Sequence, residues 1–115
     1  MPSPLLVAYG ALAAAILSEV AGSTLLKMSD GFTRTGPTIA LVILYALSFF
    51  LLSQALKVLP LGFAYAIWAG VGIVLTALIG LVLFRQTLDL PALAGIALIV
   101  GGVVVMNVFS RSVGH

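Results

Sequence analysis

Hydrophobic residues fill four long stretches of the chain, and polar residues are concentrated in the short segments between them. Each stretch is close to the ~20 residues that an α-helix needs to cross about 30 Å of hydrocarbon. Because the hydrocarbon offers no water, the backbone N–H and C=O groups of each stretch must pair within it, as they do in a helix. The pattern therefore predicts four transmembrane helices, at about residues 5–26, 37–56, 61–84 and 90–109.

The connecting segments carry residues typical of loops and of helix starts. Residues 27–36 hold two glycines and three charged side chains, and the other two links are shorter. Pro37 and Pro91 stand in the first turn of a predicted helix, where proline removes no helical hydrogen bond. Short links make consecutive helices antiparallel. We expect an all-α membrane protein with a single four-helix domain over residues 1–115.

The composition supports lipid as the solvent. Hydrophobic residues make up 63% of the chain and charged residues 7%, whereas a soluble domain carries about 25% charged residues. The net charge of +2 is too small to indicate nucleic-acid binding. With no cysteine and one histidine, at the last residue, neither a disulfide nor a metal site is expected. We expect no cofactor.

The positive charges are almost evenly divided between the two sides of the predicted bundle. The N-terminus, the second loop and the C-terminus share one side, which carries Lys57 and Arg111. The other side carries Lys27, Arg34 and Arg85. Cytoplasmic loops normally hold an excess of Lys and Arg, so this balance gives almost no preferred orientation. The chain is therefore expected to insert both ways, with a weak preference for one topology as the alternative.

One acidic residue, Glu19, lies inside a predicted span. At 1.5 Å per residue it is about 21 Å from Leu5 and about 10 Å from Leu26. A carboxylate at this depth is costly and by default indicates a functional site. Loss of hydration favours the protonated form, so protons are expected to bind and leave near neutral pH. The alternative is a structural glutamic acid that stays protonated and hydrogen-bonded.

Aromatic residues supply a second signal. Tyr45 falls near the middle of the second span, and Tyr65 and Trp68 are three residues apart, on one face of the third. Aromatic belts at the membrane surface are the usual explanation and stay the alternative. Ligand contact is favoured because Tyr45 lies near mid-span and Trp68 about two turns inside its helix. Ring faces attract a cation by ~0.5–2 kcal/mol each, and a buried hydroxyl or indole N–H needs a partner such as Glu19. The sequence predicts a site for a hydrophobic cation.

Glycines indicate where helices bend or pack. Gly70 and Gly72 lie in the interior of the third helix and favour a bend there, with close packing as the alternative. Gly95 and Gly102 are seven residues apart on one face of the fourth helix, which is typical of a helix–helix interface. Four helices are too few to enclose a polar path, so a two-fold dimer is expected. Opposite insertion of its two copies would make it antiparallel.

Four segments resemble the small multidrug resistance family. They are Leu-Ser-Glu-Val-Ala-Gly-Ser-Thr at 17–24, Asp-Gly-Phe-Thr-Arg at 30–34, Pro-Leu-Gly-Phe-Ala-Tyr-Ala-Ile-Trp at 60–68 and Gly-Val-Gly at 70–72. The resemblance covers almost the whole chain. It implies a protein of the bacterial inner membrane with no enzymatic activity. The implied protein is an antiparallel homodimer of dual topology that exchanges protons for lipophilic or quaternary ammonium cations, with membrane lipids as its other partners.

The resemblance also implies roles for individual residues. Glu19 would be the shared proton and cation site, Gly70 and Gly72 a hinge, and Gly95 and Gly102 the dimer interface. The implied substrate-binding residues are Tyr45, Tyr65, Trp68, Ala15, Ile16, Gly22, Ser23 and Ser48.

A second branch of the same family exports guanidinium-type ions. Its members typically have a tryptophan where this chain has Gly22, lack a tyrosine at the position of Tyr45, and often have a lysine in place of Asn107. All three differences favour the multidrug branch. The alternatives are a guanidinium-type exporter and a non-transporting membrane scaffold in which Glu19 pairs across helices.

Overall fold

The computed structural model describes residues 3–109, and these residues form four α-helices. Each helix is long and apolar enough to cross a membrane. The predicted all-α fold with four candidate spans is confirmed, and the helix ends lie within two residues of the predicted positions. The helices are α1 (Pro4–Met28), α2 (Thr35–Ala55), α3 (Leu61–Leu83) and α4 (Leu90–Phe109).

Polar side chains fix the starts of two helices. The Ser3 hydroxyl accepts a hydrogen bond from the Leu6 N–H at 3.1 Å, so α1 begins at Pro4. The Asp89 carboxylate accepts one from the Ala92 N–H at 3.0 Å, at the start of α4. Each side chain satisfies a backbone donor that has no partner inside the helix.

The loop between α1 and α2 folds around Ser29, which is buried. Its carbonyl accepts the N–H groups of Thr33 and Arg34 at 2.9 and 3.0 Å. Residues 30–32 between them all have positive φ, at 50°, 68° and 67°. Left-handed backbone is easily adopted by the glycine in the middle of this run and less readily by its two neighbours. The hydrogen bonds to Ser29 therefore hold the connection in one tight conformation.

The chain divides into two compact units, residues 1–58 with α1 and α2 and residues 59–115 with α3 and α4. In the first unit α1 and α2 pack extensively against each other. The buried positions on both helices recur every three or four residues, as expected for a helix with one covered face. They include Ala8, Leu12, Ala15, Leu41, Ser48, Leu52 and Ala55. The single domain predicted for residues 1–115 stays a prediction.

In the second unit α3 and α4 approach each other closely at Gly70. A Cβ atom at this position would lie 2.7 Å from Val103 Cγ2 of α4. After α3 the chain turns through Arg85, with φ 54°, and the Gln86 N–H bonds back to the Gly80 carbonyl at 2.9 Å. The described residues of α4 include no buried one. Its apolar side chains are therefore available to lipid or to another chain.

Candidate functional site

Glu19 lies beyond the middle of α1 and is half-buried. Its Oε1 accepts a hydrogen bond from the Ser23 hydroxyl at 2.8 Å. Ser23 follows Glu19 by four residues, the spacing at which two side chains on a helix are neighbours. The helix itself therefore places a donor beside the carboxylate.

Tyr45 of α2 extends this contact across the helix pair. Its hydroxyl oxygen lies 2.8 Å from the Ser23 hydroxyl oxygen. A serine hydroxyl has one hydrogen, and here that hydrogen is donated to Glu19. Tyr45 is therefore the donor in the second bond, and the three side chains form one chain that runs from Tyr45 through Ser23 to Glu19.

Gly22 leaves the space that the Tyr45 ring occupies. A Cβ atom at residue 22 would lie 3.5 Å from Cε1 and Cζ of Tyr45 and 3.5 Å from Cβ of Leu44. These are ordinary contact distances, so one methyl group fits. A larger side chain would need the volume of the ring. The position of Tyr45 thus depends on a small residue at position 22.

Ser48 holds the backbone of α1 just before Glu19. Its hydroxyl donates to the Ala15 carbonyl at 2.8 Å, and both residues are buried. In a regular helix the same carbonyl accepts the N–H of the residue four positions later, which is Glu19. Ile16, next to Ala15, is buried as well. Tyr45 and Ser48 therefore attach α2 to α1 on both sides of Glu19.

The second unit presents a pair of aromatic rings. The Tyr65 and Trp68 rings are stacked, with centroids 6.2 Å apart and an interplanar angle of 25°. Trp68 is half-buried and Tyr65 is 48% exposed. A Cβ atom at Gly72 would lie 3.6 Å from Trp68 Cδ1, which is an ordinary contact distance. This pair offers the ring faces that a hydrophobic cation requires.

The structure thus collects the predicted site residues into two groups. Glu19, Gly22, Ser23 and Tyr45 lie together in the first unit, with Ala15, Ile16 and Ser48 beside them. Tyr65 and Trp68 form the group in the second unit. The role of each in binding a cation stays a prediction.

The predicted hinge and dimer interface have different surroundings. α3 is helical throughout, including Gly70 and Gly72, and Gly70 is packed against Val103. Cβ atoms built at Gly95 and Gly102 would meet nothing within 4 Å, so the face that they share on α4 is open among the described residues. The hinge and the interface both stay predictions.

Helical spacing predicted that Ser23 lies near Glu19, but the hydrogen bond between Ser23 and Tyr45 was not predicted. The expected partner of a buried tyrosine hydroxyl was the carboxylate itself. In the structure the partner of Tyr45 is Ser23, and the carboxylate is one hydrogen bond further on. The i, i+4 spacing of Glu19 and Ser23 is a visible signal. The rotation of α2 that brings Tyr45 to Ser23 has no such signal.

Four membrane-length helices, with a hydrogen-bonded carboxylate inside the first, define a multi-pass membrane protein that has an ionisable site within its spanning region. The family model for the Small Multidrug Resistance protein matches residues 7–99. The chain therefore belongs to the small multidrug resistance family, as the four segments predicted, and it is a multi-pass protein of the inner membrane.

Three relatives illustrate the similarity. The multidrug transporter EmrE of Escherichia coli (strain K12) is 52% identical over 107 residues, which cover 93% of this chain and 97% of that protein. The multidrug resistance protein EbrB of Bacillus licheniformis is 53% identical over 96 residues, covering 84% and 81%. The quaternary ammonium compound-resistance protein QacF of Klebsiella aerogenes is 48% identical over 104 residues, covering 90% and 94%.

Proposed function

We propose that this protein is a proton-coupled antiporter that exports lipophilic and quaternary ammonium cations. The observation that carries the proposal is Glu19, an acid in the interior of a membrane-length helix that is hydrogen-bonded by Ser23 and half-buried. The names of the relatives support the substrate class, because they describe multidrug transport and resistance to quaternary ammonium compounds.

Exchange follows if the proton and the cation compete for Glu19. An ionised carboxylate in a medium of low dielectric attracts a cation strongly, and protonation removes that attraction. Since the two ligands compete, each lowers the affinity of the other by the same factor. A proton arriving from one side therefore expels the cation, and a cation arriving from the other side expels the proton.

The residues predicted to bind the substrate favour a hydrophobic cation. Such a cation carries few hydrogen-bond donors and loses little hydration when it enters the membrane. The Tyr65 and Trp68 rings supply π faces, and the apolar contacts do not depend on one fixed geometry. A guanidinium ion also pairs with a carboxylate, through two parallel hydrogen bonds, so Glu19 alone does not separate the two branches. Gly22, Tyr45 and the stacked rings favour the multidrug branch.

The transporter works as an antiparallel homodimer in this proposal. The near-equal Lys and Arg counts on the two sides support insertion in both orientations. The exposed apolar surface of α4 and the open face at Gly95 and Gly102 support association through α4. Two copies would place two Glu19 side chains around one chamber. Exchange of the two protomers' conformations would then open the chamber to alternate sides.

Proton-driven uptake of tetraphenylphosphonium into proteoliposomes tests the role of Glu19. Glu19→Gln is expected to abolish uptake, because an amide neither ionises nor takes up a proton near neutral pH. Glu19→Asp is expected to keep binding with an altered pH optimum, since the charge stays but moves by ~1.5 Å. Asp30→Asn is the matched control. It neutralises a loop carboxylate whose left-handed backbone asparagine accepts, and transport should be unchanged.

Each result separates the candidate functions. Proton exchange for tetraphenylphosphonium by purified Glu19→Gln would contradict the mechanism. Exchange of guanidinium by the unaltered protein, with none of tetraphenylphosphonium, would place it in the other branch. Liposomes that exchange neither cation would indicate a scaffold.

A further inference from the structure

Ser23 occupies the position between an acid and a phenol. It lies 2.8 Å from Glu19 Oε1 and 2.8 Å from the Tyr45 hydroxyl, and all three side chains are partly buried. The hydrogen of Ser23 and one of its two oxygen lone pairs are thus engaged within the protein.

The direction of both hydrogen bonds depends on the charge of Glu19. When the carboxylate is ionised it can only accept, so Ser23 donates to Glu19 and Tyr45 donates to Ser23. When Oε1 carries a proton, Glu19 donates to Ser23, and Ser23 then donates to Tyr45. The Tyr45 hydrogen is thereby released to another acceptor. The two hydroxyl groups thus have two arrangements, one for each state of the acid.

We propose that Ser23 is a positioning residue that relays the protonation state of Glu19 to Tyr45. The inference rests on the proposed role of Glu19 in exchange. In the ionised state the Tyr45 oxygen presents its lone pairs to the chamber, which favours a cation. In the protonated state the Tyr45 hydroxyl presents its hydrogen to the chamber, which disfavours a cation. Protonation would therefore weaken cation binding twice, once by removing the charge and once by turning a hydroxyl dipole.

The charged and titratable groups near this chain of hydrogen bonds are few. Between residues 35 and 55, which form α2, the sequence has one titratable side chain, Tyr45. Arg34 precedes α2 and Lys57 follows it. On α1 itself, Tyr9 is about 15 Å and Lys27 about 12 Å along the helix from Glu19. Tyr45 is therefore the titratable group that α2 brings to the acid.

Isothermal titration of the purified protein with tetraphenylphosphonium between pH 5 and 9 tests the relay. Ser23→Ala removes a hydrogen bond to the ionised carboxylate, so protons compete better. We expect the pH midpoint of binding to rise by about one unit, with affinity about tenfold lower below the midpoint. Well above the midpoint the loss of affinity should be much smaller, because only the orientation of the Tyr45 hydroxyl is lost there. Ser23→Thr keeps the hydroxyl and should restore the original midpoint.

A double-variant cycle tests whether Tyr45 acts through Ser23. Tyr45→Phe should raise the midpoint by less than Ser23→Ala does, because it removes the second bond of the chain. In a Ser23→Ala background it should produce no further rise. Ser18→Ala is the matched control, since the Ser18 hydroxyl donates to the Ala14 carbonyl of its own helix at 2.9 Å. Its midpoint should equal that of the unaltered protein.

Three outcomes would overturn the relay: an equal loss of affinity at every pH in Ser23→Ala, failure of Ser23→Thr to restore the midpoint, or fully additive shifts in the double variant. If Ser23→Ala does not fold in detergent, Ser23→Cys is measured in its place. Its weaker donor should give a smaller rise, and an unchanged midpoint would count against the relay. Failure of the proposed function would look different, because the unaltered protein would then bind the cation equally at every pH.

Discussion

Tyr45 and Ser48 lie three residues apart on α2, and both bond to the part of α1 that carries Glu19. Their bonds differ in kind. Tyr45 reaches the acid through a side chain, so its bond depends on charge. Ser48 donates to the Ala15 backbone carbonyl, which has a helical partner already. We therefore expect the two residues to respond differently to substitution.

Ser48→Ala should lower stability slightly and leave the pH profile of cation binding unchanged. Hydrogen bonds between membrane helices contribute about 0.6 kcal/mol on average, and the Ala15 carbonyl keeps its helical bond. Unfolding in mixed detergent micelles measures the loss. Ser53→Ala is the control, since the Ser53 hydroxyl bonds to the Phe50 carbonyl of its own exposed turn. A tenfold loss of cation affinity at unchanged stability would show instead that Ser48 contacts the substrate.

Gly22 and Tyr45 form a pair whose volumes are linked. The Tyr45 ring lies at contact distance from the place where a side chain at residue 22 would begin. A tryptophan at residue 22 would therefore need the space of this ring. The two branches of the family differ at these same two positions. The structure gives a steric reason why a tryptophan at position 22 accompanies the absence of a tyrosine at position 45.

Much of the site follows from the sequence because it depends on spacing within one helix. Glu19 stands out as an acid in an apolar stretch, and Ser23 follows it by one turn. The bonds that come from α2 depend on the rotation of that helix about its axis. Such rotation is set by the packing of small and large residues, so neither the Tyr45–Ser23 bond nor the Ser48–Ala15 bond could be predicted.

At the scale of elements, α3 and α4 approach closely where Gly70 meets Val103. Valine is branched at Cβ, so its methyl groups cannot easily rotate away from an added atom. The sequence offered a bend and close packing as two readings of the glycines at 70 and 72. The contact with Val103 favours packing at Gly70, whereas Gly72 lies beside Trp68 at an ordinary distance.

Gly70→Ala should destabilise the protein by ~1–3 kcal/mol, because the new methyl group would lie 2.7 Å from Val103 Cγ2. Val103→Ala makes room for it, so the double variant should recover most of the loss in detergent-unfolding measurements. Gly72→Ala is the control and should change stability little. Recovery of stability without recovery of transport in the double variant would establish a hinge at Gly70.

The helix ends were predictable to within two residues because loop residues mark them. Proline and glycine limit where an apolar stretch can stay helical, and the hydrocarbon thickness limits its length. The remaining differences come from single side chains. Ser3 extends α1 backwards through its bond to the Leu6 N–H. The left-handed run at 30–32 could not be predicted, since two of its three residues are not glycine.

At the scale of the whole molecule, many large apolar side chains are exposed, as a lipid environment requires. Lys and Arg are almost evenly divided between the two sides of the predicted bundle, so their number sets almost no preferred orientation. α4 has no buried residue among those described, so most of its apolar side chains contribute exterior surface, and Val103 is one that packs against α3. The few Lys and Arg residues lie outside the apolar stretches or at their ends. Small changes in these charges should therefore control how the chain inserts, without affecting the helices themselves.

Two oppositely biased variants can test the antiparallel dimer. Lys57→Gln with Thr87→Lys leaves one Lys or Arg on the side of the N-terminus and four on the other. Arg34→Gln with Val58→Lys and Arg85→Asn leaves three Lys or Arg on the side of the N-terminus and one on the other side. These substitutions lie in or beside loops, and asparagine accepts the left-handed backbone of residue 85. Each variant should insert in one orientation, the two being opposite.

Each variant alone should fail to confer resistance to a quaternary ammonium compound, because a chain with one orientation cannot form an antiparallel pair. Expression of both in one cell should restore resistance, and a C-terminal reporter should show each on its own side of the membrane. Adding Glu19→Gln to both chains controls for the site and should abolish the restored resistance. Full resistance from a variant whose C-terminus is found on one side only would mean that parallel copies suffice, and the antiparallel arrangement would have to be abandoned.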